Sequence, residues 1–516
     1  MQSLSEKAQD DNLSIDARIK ILGKWIDVSS DELSKKDLFE AIGVGKTLLS
    51  VCTNPIHLSN IHFFIANAYL AVRTITTRDN DPNKIQWENK ELEQELIHLR
   101  IAFSKIRDTP IDKIGTDLPF RVATNLGNAL NHIGRFSEAL EFWDYVLARS
   151  PNFGMANGNR GLGLYYYTRL LYDPGHRVLF LMEARSALEK AIEQHLESNA
   201  TDPIAHLLKI IDGILPNETN ANVNDFSLGR SLAERNYRKW VMDNRLFINP
   251  LNDLGELPIA ATDVFTLPSI VLPISEPPHL YGLFNQIKQE FVSARFLLFQ
   301  GIVEEQKRCH FSDRNVLLFN TLDYPIYSLK IENVKIAYLS AYSVLDKIAF
   351  LLNHYYKLGI PERKVSFRNI WYETKGKKRK LHNKFSSSKN WPLRGLFWLS
   401  KDFYDENADF KDSIDPDAKE LNLIRNHIAH KYLKVHDDIF WHENHDNFDF
   451  FVDRLCLSIR RDELHRKTLK LFKLVRSAML YCSIAIHFEE SLKKLDKEEG
   501  FFAPISLGII NDKWKT

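Results

Sequence analysis

Apolar residues recur every three or four positions along most of the chain, the spacing of helices that bury one face. The pattern is clearest in "LFNQIKQEFVSARFLLFQGIVEE", in "YSLKIENVKIAYLSAYSVLDKIAFLLNHYYKLG" and in "DELHRKTLKLFKLVRSAMLYCSIAIHFEESLKKL". No stretch of comparable length alternates as a half-buried strand does, so the chain is expected to be all-α. Five prolines fall between Pro258 and Pro278, which rules out a continuous helix there and marks an extended connector. The expected organisation is a helical-repeat region over residues 1–255, a proline-rich connector over 256–280 and a helical bundle over 281–516.

Within the first region, "FRVATNLGNALNHIGRFSEALEFWDYVLARSP" (residues 120–151) carries Leu126-Gly127, Leu130, Gly134, Ala139, Trp143, Val146 and Pro151. Those offsets fit a helix-turn-helix repeat of ~34 residues. Gly127 and Ala139 are small where two helices cross, Gly134 suits the turn, and Trp143 fills the gap toward a following repeat. This segment resembles a tetratricopeptide repeat. Weaker copies flank it at "NIHFFIANAYLAV" with "ELEQELIHLRIAFSKI", and from Gly161 to "LMEARSALEKAIEQH". About three repeats stabilise such an array, so residues 1 to about 250 read as an irregular one. Its concave face, where Asn125, Asn128 and Asn131 are expected to project, would take a protein or peptide ligand.

Composition narrows the rest. Hydrophobic residues make up 44% and charged residues 26%, and the formal charge of +1 means that any polyanion must be met by a local patch. Cys52, Cys309, Cys456 and Cys482 form no CxxC pair and are expected to be reduced, buried thiols. The polar start "MQSLSEKAQDDNLSID" lacks the features of a secretion signal and no apolar run approaches ~20 residues, so a cytoplasmic protein without a membrane span is expected. "AIGVGKTLLS" ends like a phosphate-binding loop, but Glu40 stands where its first glycine should be. Asn217-Glu218-Thr219 matches a glycosylation sequon by chance. His442 and His445 of "WHENHD" have no completing ligand set, and no metal or cofactor is expected.

One local patch stands out. Residues 361–401 hold twelve Lys or Arg against two Glu, interleaved with Phe367, Trp371, Tyr372, Phe385 and Trp391. Such a segment, with Lys375, Lys377, Lys378, Arg379 and Lys380 at its centre, reads either as a solvated loop or as an RNA-binding insertion offering charge and rings.

The remaining signal is "LNLIRNHIAHKYLKVH", residues 421–436. As a helix it would turn Leu421, Ile424, Ile428 and Leu433 to a core and stack Asn426 over His430. Arg425 is offset from His430 by about 140°, so the pair would flank a groove. "RNHIAH" resembles the R-x4-6-H motif of the HEPN superfamily, and the resemblance extends over roughly residues 281–495. It implies a helical domain that dimerises and that acts in many members as a metal-independent endoribonuclease, often in toxin or anti-phage systems. Other members are non-catalytic RNA- or protein-binding adaptors. The family also tends to place an acidic or polar residue on an earlier helix facing the motif, and Asp346, which interrupts an apolar helix, is the candidate. By this resemblance Arg425, Asn426, His430 and Asp346 form the site. The chemistry suits them: imidazole exchanges protons near neutral pH, while a guanidinium keeps its charge and grips two phosphate oxygens.

Overall fold

The computed structural model describes residues 2–78, 86–194, 198–215, 226–273, 275–303, 309–375, 378–403, 416–437, 455–495 and 505–515. The chain is helical, as the apolar period requires. Among the described residues, the amino-terminal region is built on α1 (Gln2–Gln9), α2 (Ile15–Asp31), α3 (Lys35–Val51), α4 (Pro55–Arg78), α5 (Lys90–Ile106), α6 (Ile111–Ile114), α7 (Leu118–His132), α8 (Phe136–Leu147), α9 (Gly154–Thr168), α10 (Pro174–Glu193), α11 (Ser198–Ile214) and α12 (Leu232–Asp243). Side chains of Ser14, Ser34, Asn89, Asp173 and Ser231 accept backbone N–H groups at the starts of α2, α3, α5, α10 and α12, which fixes where those helices begin.

Consecutive helices pack as neighbours, α4 on α5, α7 on α8 and α9 on α10. At the α7/α8 crossing, an added Cβ on Gly127 would strike the Trp143 ring, and one on Gly163 of α9 would strike the same ring. The indole therefore joins two successive hairpins. Its N–H donates to Asn128 Oδ1 at 3.1 Å, and Asn125 donates to Asn67 Oδ1 at 3.1 Å. Two of the three asparagines expected to face a ligand are thus bonded within the amino-terminal helices.

The carboxy-terminal region is built on α13 (His279–Ile302), α14 (Leu329–Tyr355), the hairpin strands β1 (Tyr372–Lys375) and β2 (Lys378–Leu381), α15 (Asn383–Ser386), α16 (Trp391–Phe403), α17 (Pro416–His430), the parallel strands β3 (Leu433–His436) and β4 (Leu457–Arg460), and α18 (Arg461–Leu495). The helix expected over 421–436 stops at His430. Beyond it, Leu433–His436 is a buried strand that pairs with Leu457–Arg460, in register from Leu433↔Leu457 to His436↔Arg460. Leu433 and Val435 suit a fully buried strand better than a continued helix, and the pairing decides the matter.

The proline-rich segment is packed. Ala260, Ala261, Phe265 and Leu267 are buried, Asp263 forms a two-pronged ion pair with Arg295 of α13 (2.9 and 2.7 Å), and Val271 N–H donates to Glu490 of α18 at 3.0 Å. One hydrophobic core runs from Phe63 in α4 to Ile486 in α18, with a second, smaller core confined to α1–α4.

Charged groups buried in that core tie the two regions together. Asp402 of α16, 1% exposed, accepts from Arg100 of α5 through both oxygens (2.7 and 2.9 Å) and also from Arg135. Burial disfavours the Arg135 charge, but Asp402 and Glu138 outweigh it and hold the guanidinium protonated more firmly than usual. Arg476 of α18 meets Asp253, and Lys401 meets Glu93. Gly134, at φ +92°, lies so close to α16 that a Cβ there would collide with the Trp391 carbonyl, while one on Gly395 would collide with Gly134 itself. Removing Asp402 leaves the buried Arg135 and the mostly buried Arg100 without their shared partner, so Asp402→Ala is expected to cost about 3–5 kcal/mol in urea unfolding. Exposed ion pairs such as Lys36–Glu40 are expected to give well under about 1 kcal/mol in the same assay.

Candidate active site around Arg425 and His430

The site begins on α14. Tyr338, Tyr342 and Asp346 are four residues apart, so all three lie on one face of the helix. Tyr338 OH donates to the Leu421 carbonyl at 2.6 Å and Tyr342 OH to Asn422 Oδ1 at 3.2 Å, which sets the axial position of α17 against α14. Tyr342 is 3% exposed and presents its ring to Arg425, whose Cζ stands 5.7 Å from the ring centroid. Phe403, the last residue of α16, meets the same ring edge-on with centroids 5.9 Å apart.

Arg425 is half-buried and its Nη1 makes two contacts, donating to Asn426 Oδ1 at 3.0 Å and lying 3.3 Å from His430 Nε2. The expected groove flanked by separated side chains is therefore replaced by direct contact. A guanidinium reaches back around the helix although the Cα positions diverge. Asn426 holds Arg425 rather than the imidazole. Because the guanidinium can only donate, this contact places the proton of a neutral His430 ring on Nδ1. His430 is the final residue of α17 and is exposed, so the polar end of the pair opens to solvent. His427 turns away and its Nδ1 lies 2.8 Å from the Leu423 carbonyl.

Asp346 lies on the same face of α14 as the two tyrosines. Its neighbour Lys347 pairs with Glu290 of α13 and so does not serve as its counter-ion. Asp346 Oδ1 accepts the Phe367 N–H at 2.9 Å. Burial raises its carboxyl above the ordinary value of 3.8, while that N–H and the positive charge of Arg425 pull it part of the way back. Arg425 thus faces an imidazole on one side and is felt by a carboxylate on the other.

The basic insertion differs from expectation in its aromatic residues. Phe367, Trp371 and Phe385 are fully buried, with Trp371 packed on Phe385 and Phe397, and Trp87 of the amino-terminal region stacked on Phe385. Rings that close a core cannot stack on bases. Arg394 and Lys401 are buried as well, and burial lowers the Arg394 guanidinium to about 10. Lys380 is exposed on β2. Lys377, the side chains of Lys375, Lys378 and Arg379, the histidines His442 and His445, and Asn217-Glu218-Thr219 lie outside the described residues. Of the four cysteines, Cys482 is buried and Cys309 is exposed, contrary to a uniformly buried set. Among the described residues no group of three or more His, Cys, Asp or Glu is placed to hold a metal, and no helix is long and apolar enough to cross a membrane.

Residues 271–489 match the family model of LA2681-like HEPN domains. The match takes in α13 to α17 and most of α18, and hence every residue of the constellation just described. It supports HEPN superfamily membership for this region, which covers less than half of the chain. No curated protein and no solved structure matches the chain. The spacing of Arg425, Asn426 and His430 is visible in the sequence. Sequence reasoning does not single out Tyr338 and Tyr342, although their four-residue spacing with Asp346 on an otherwise apolar helix is the signal that marks them.

Asp346 yields a prediction with a definite sign. Its folded-state pKa is raised, so its contribution to stability is full below the ordinary value and is lost as pH rises through the folded value. Asp346→Asn keeps an oxygen for the Phe367 N–H and removes the buried charge. At pH 7 the variant is expected to resist urea at least as well as wild type, and the difference should vanish below about pH 4. A variant much less stable at pH 7 would mean that the Arg425 attraction outweighs burial.

Proposed function

We propose that this protein is an endoribonuclease whose HEPN region cleaves RNA by attack of the 2′-hydroxyl on the adjacent phosphate. The observation that carries the reading is the 3.3 Å approach of Arg425 Nη1 to His430 Nε2 at the open end of α17, backed by Tyr342 and within reach of the Asp346 charge. An incoming phosphate competes for the guanidinium through its planar fork. That competition frees His430 Nε2, which can then take the 2′-hydroxyl proton. Arg425 stabilises the negative charge that develops on the pentacovalent phosphorus, and Asn426 steadies Arg425. The bond from phosphorus to the 5′-oxygen breaks, that oxygen takes a proton from the protonated His430 ring or from solvent and leaves as the 5′-hydroxyl of the downstream fragment, and the upstream fragment is left with a 2′,3′-cyclic phosphate.

In this reading the protein acts as a homodimer that brings two copies of the motif together. The tetratricopeptide-like array receives a protein or peptide signal, in the context of a toxin or anti-phage effector. Lys375, Lys377, Lys378, Arg379 and Lys380 guide RNA chiefly by charge, since Phe367, Trp371 and Phe385 are buried and only Tyr372 and Trp391 are partly exposed. The alternative is a non-catalytic adaptor in which the Arg425–His430 contact only holds a binding surface.

Arg425→Ala and His430→Ala separate the two. Each is expected to lower cleavage by about 10²- to 10⁴-fold without changing the unfolding midpoint, because proton transfer and charge stabilisation serve one transition state. Asn426→Ala is expected to be milder, and cleavage to persist in EDTA. Cleavage unchanged in both alanine variants would favour the adaptor. Charge reversal at Lys377, Lys378, Arg379 and Lys380 is expected to weaken RNA binding and flatten its salt dependence, read from a titration of binding against salt.

A further inference from the structure

Between α13 and α14 the chain runs through "FSDRNVLLFNTLDYPIY", residues 311–327. Phe311, Val316, Leu317, Leu318, Phe319, Leu322, Tyr324 and Tyr327 are 44–83% exposed, with Leu317 at 82% and Phe319 at 83%. Isolated exposed apolar residues need no explanation, but eight in 17 residues form a patch. An aromatic side chain offers roughly 150–250 Å², so the four aromatic residues alone leave on the order of 500 Å² uncovered. The aliphatic ones bring the patch close to the roughly 800 Å² per partner that a stable interface covers.

The arm is not a loose tether. Asp313 accepts the Leu329 N–H at 3.0 Å, Asp323 pairs with Lys434 at 2.6 Å, Ile326 N–H donates to the Val435 carbonyl at 2.7 Å, and Tyr327 OH lies 3.3 Å from Tyr432 OH. Three of those contacts fall on residues 432–435, the segment that follows His430. Leu322 and Tyr324 hold positive φ, a conformation that bulky side chains keep only where the surroundings impose it. The acids at either end are engaged within the chain, and residues 315–322 carry no charge at all. An uncharged apolar centre whose rim carries one exposed cation, Arg314, is the make-up of a protein interface rather than of a polyanion-binding surface, which needs several cations.

We infer that the arm, residues 311–327, is the docking surface for a second copy of this chain, arm against arm across a two-fold axis. A patch of this size paired with its own copy satisfies the area requirement on both chains at once. Because residues 432–435 anchor it, the arm lies beside the segment that follows His430, so pairing the arms joins the two copies next to that segment. The inference rests on the dimeric reading of the site but is tested without any RNA.

The double variant Leu317→Asp, Phe319→Glu alters two side chains that are more than four-fifths exposed, so the fold should be kept. In sedimentation equilibrium the full-length wild type should be a dimer at micromolar concentration. The double variant should dissociate at least about 100-fold more readily, since closing the interface would bury unpaired charge, while Arg425→Ala should remain a dimer. Cross-linking a mixture of isotope-labelled and unlabelled protein should join arm to arm between chains. A wild-type monomer, a double variant that dimerises normally, cross-links found only within single chains, or a monomer that pellets with lipid vesicles would each overturn the inference. A dimer that cleaves no RNA would leave the arm standing and remove the catalytic reading alone.

Discussion

Asp402 is almost sealed from solvent and shared by Arg100 and Arg135, two cations carried by different parts of the amino-terminal region. A carboxylate so placed depends on both partners, and neither guanidinium is easily rehydrated if it leaves. The end of α16 is thereby fixed to the array. Phe403 follows directly, and its ring meets Tyr342, over which Arg425 lies. The position of the proposed phosphate-binding group is in this sense set by a buried ion cluster that belongs to neither motif. The Gly134–Gly395 approach serves the same junction, since no side chain at either position would let the backbones come so near.

The helices and the packing role of Gly127 and Trp143 can be read from the sequence because each depends on local spacing. What stays hidden depends on partners distant in the chain. The aromatic residues of the basic insertion look like a base-stacking surface until Trp87, almost three hundred residues earlier, closes over Phe385. Leu433–His436 looks like the continuation of α17 until Leu457–Arg460 pairs with it. The offset of Arg425 from His430 around the helix axis describes Cα directions, and a long flexible side chain does not have to obey it. Asp346 is recognisable as a charge interrupting an apolar helix. That Glu290 draws Lys347 away from it is not.

The site joins a permanent cation, a titratable ring and a carboxyl whose charge is disfavoured by burial, all held on two helices by tyrosine hydroxyls. A carboxyl kept where burial resists its charge, as Asp346 is, occurs at functional sites as well as in structural ion clusters.

The chemistry of the cut ends tests the account most directly. Purified full-length protein incubated with a single-stranded RNA of defined sequence should yield upstream fragments ending in a 2′,3′-cyclic phosphate and downstream fragments with a free 5′-hydroxyl, as attack by the neighbouring 2′-oxygen requires. Fragments ending in a 3′-hydroxyl, with phosphate on the 5′ side, would show that water or another nucleophile made the cut and would contradict the roles given to His430 and Arg425.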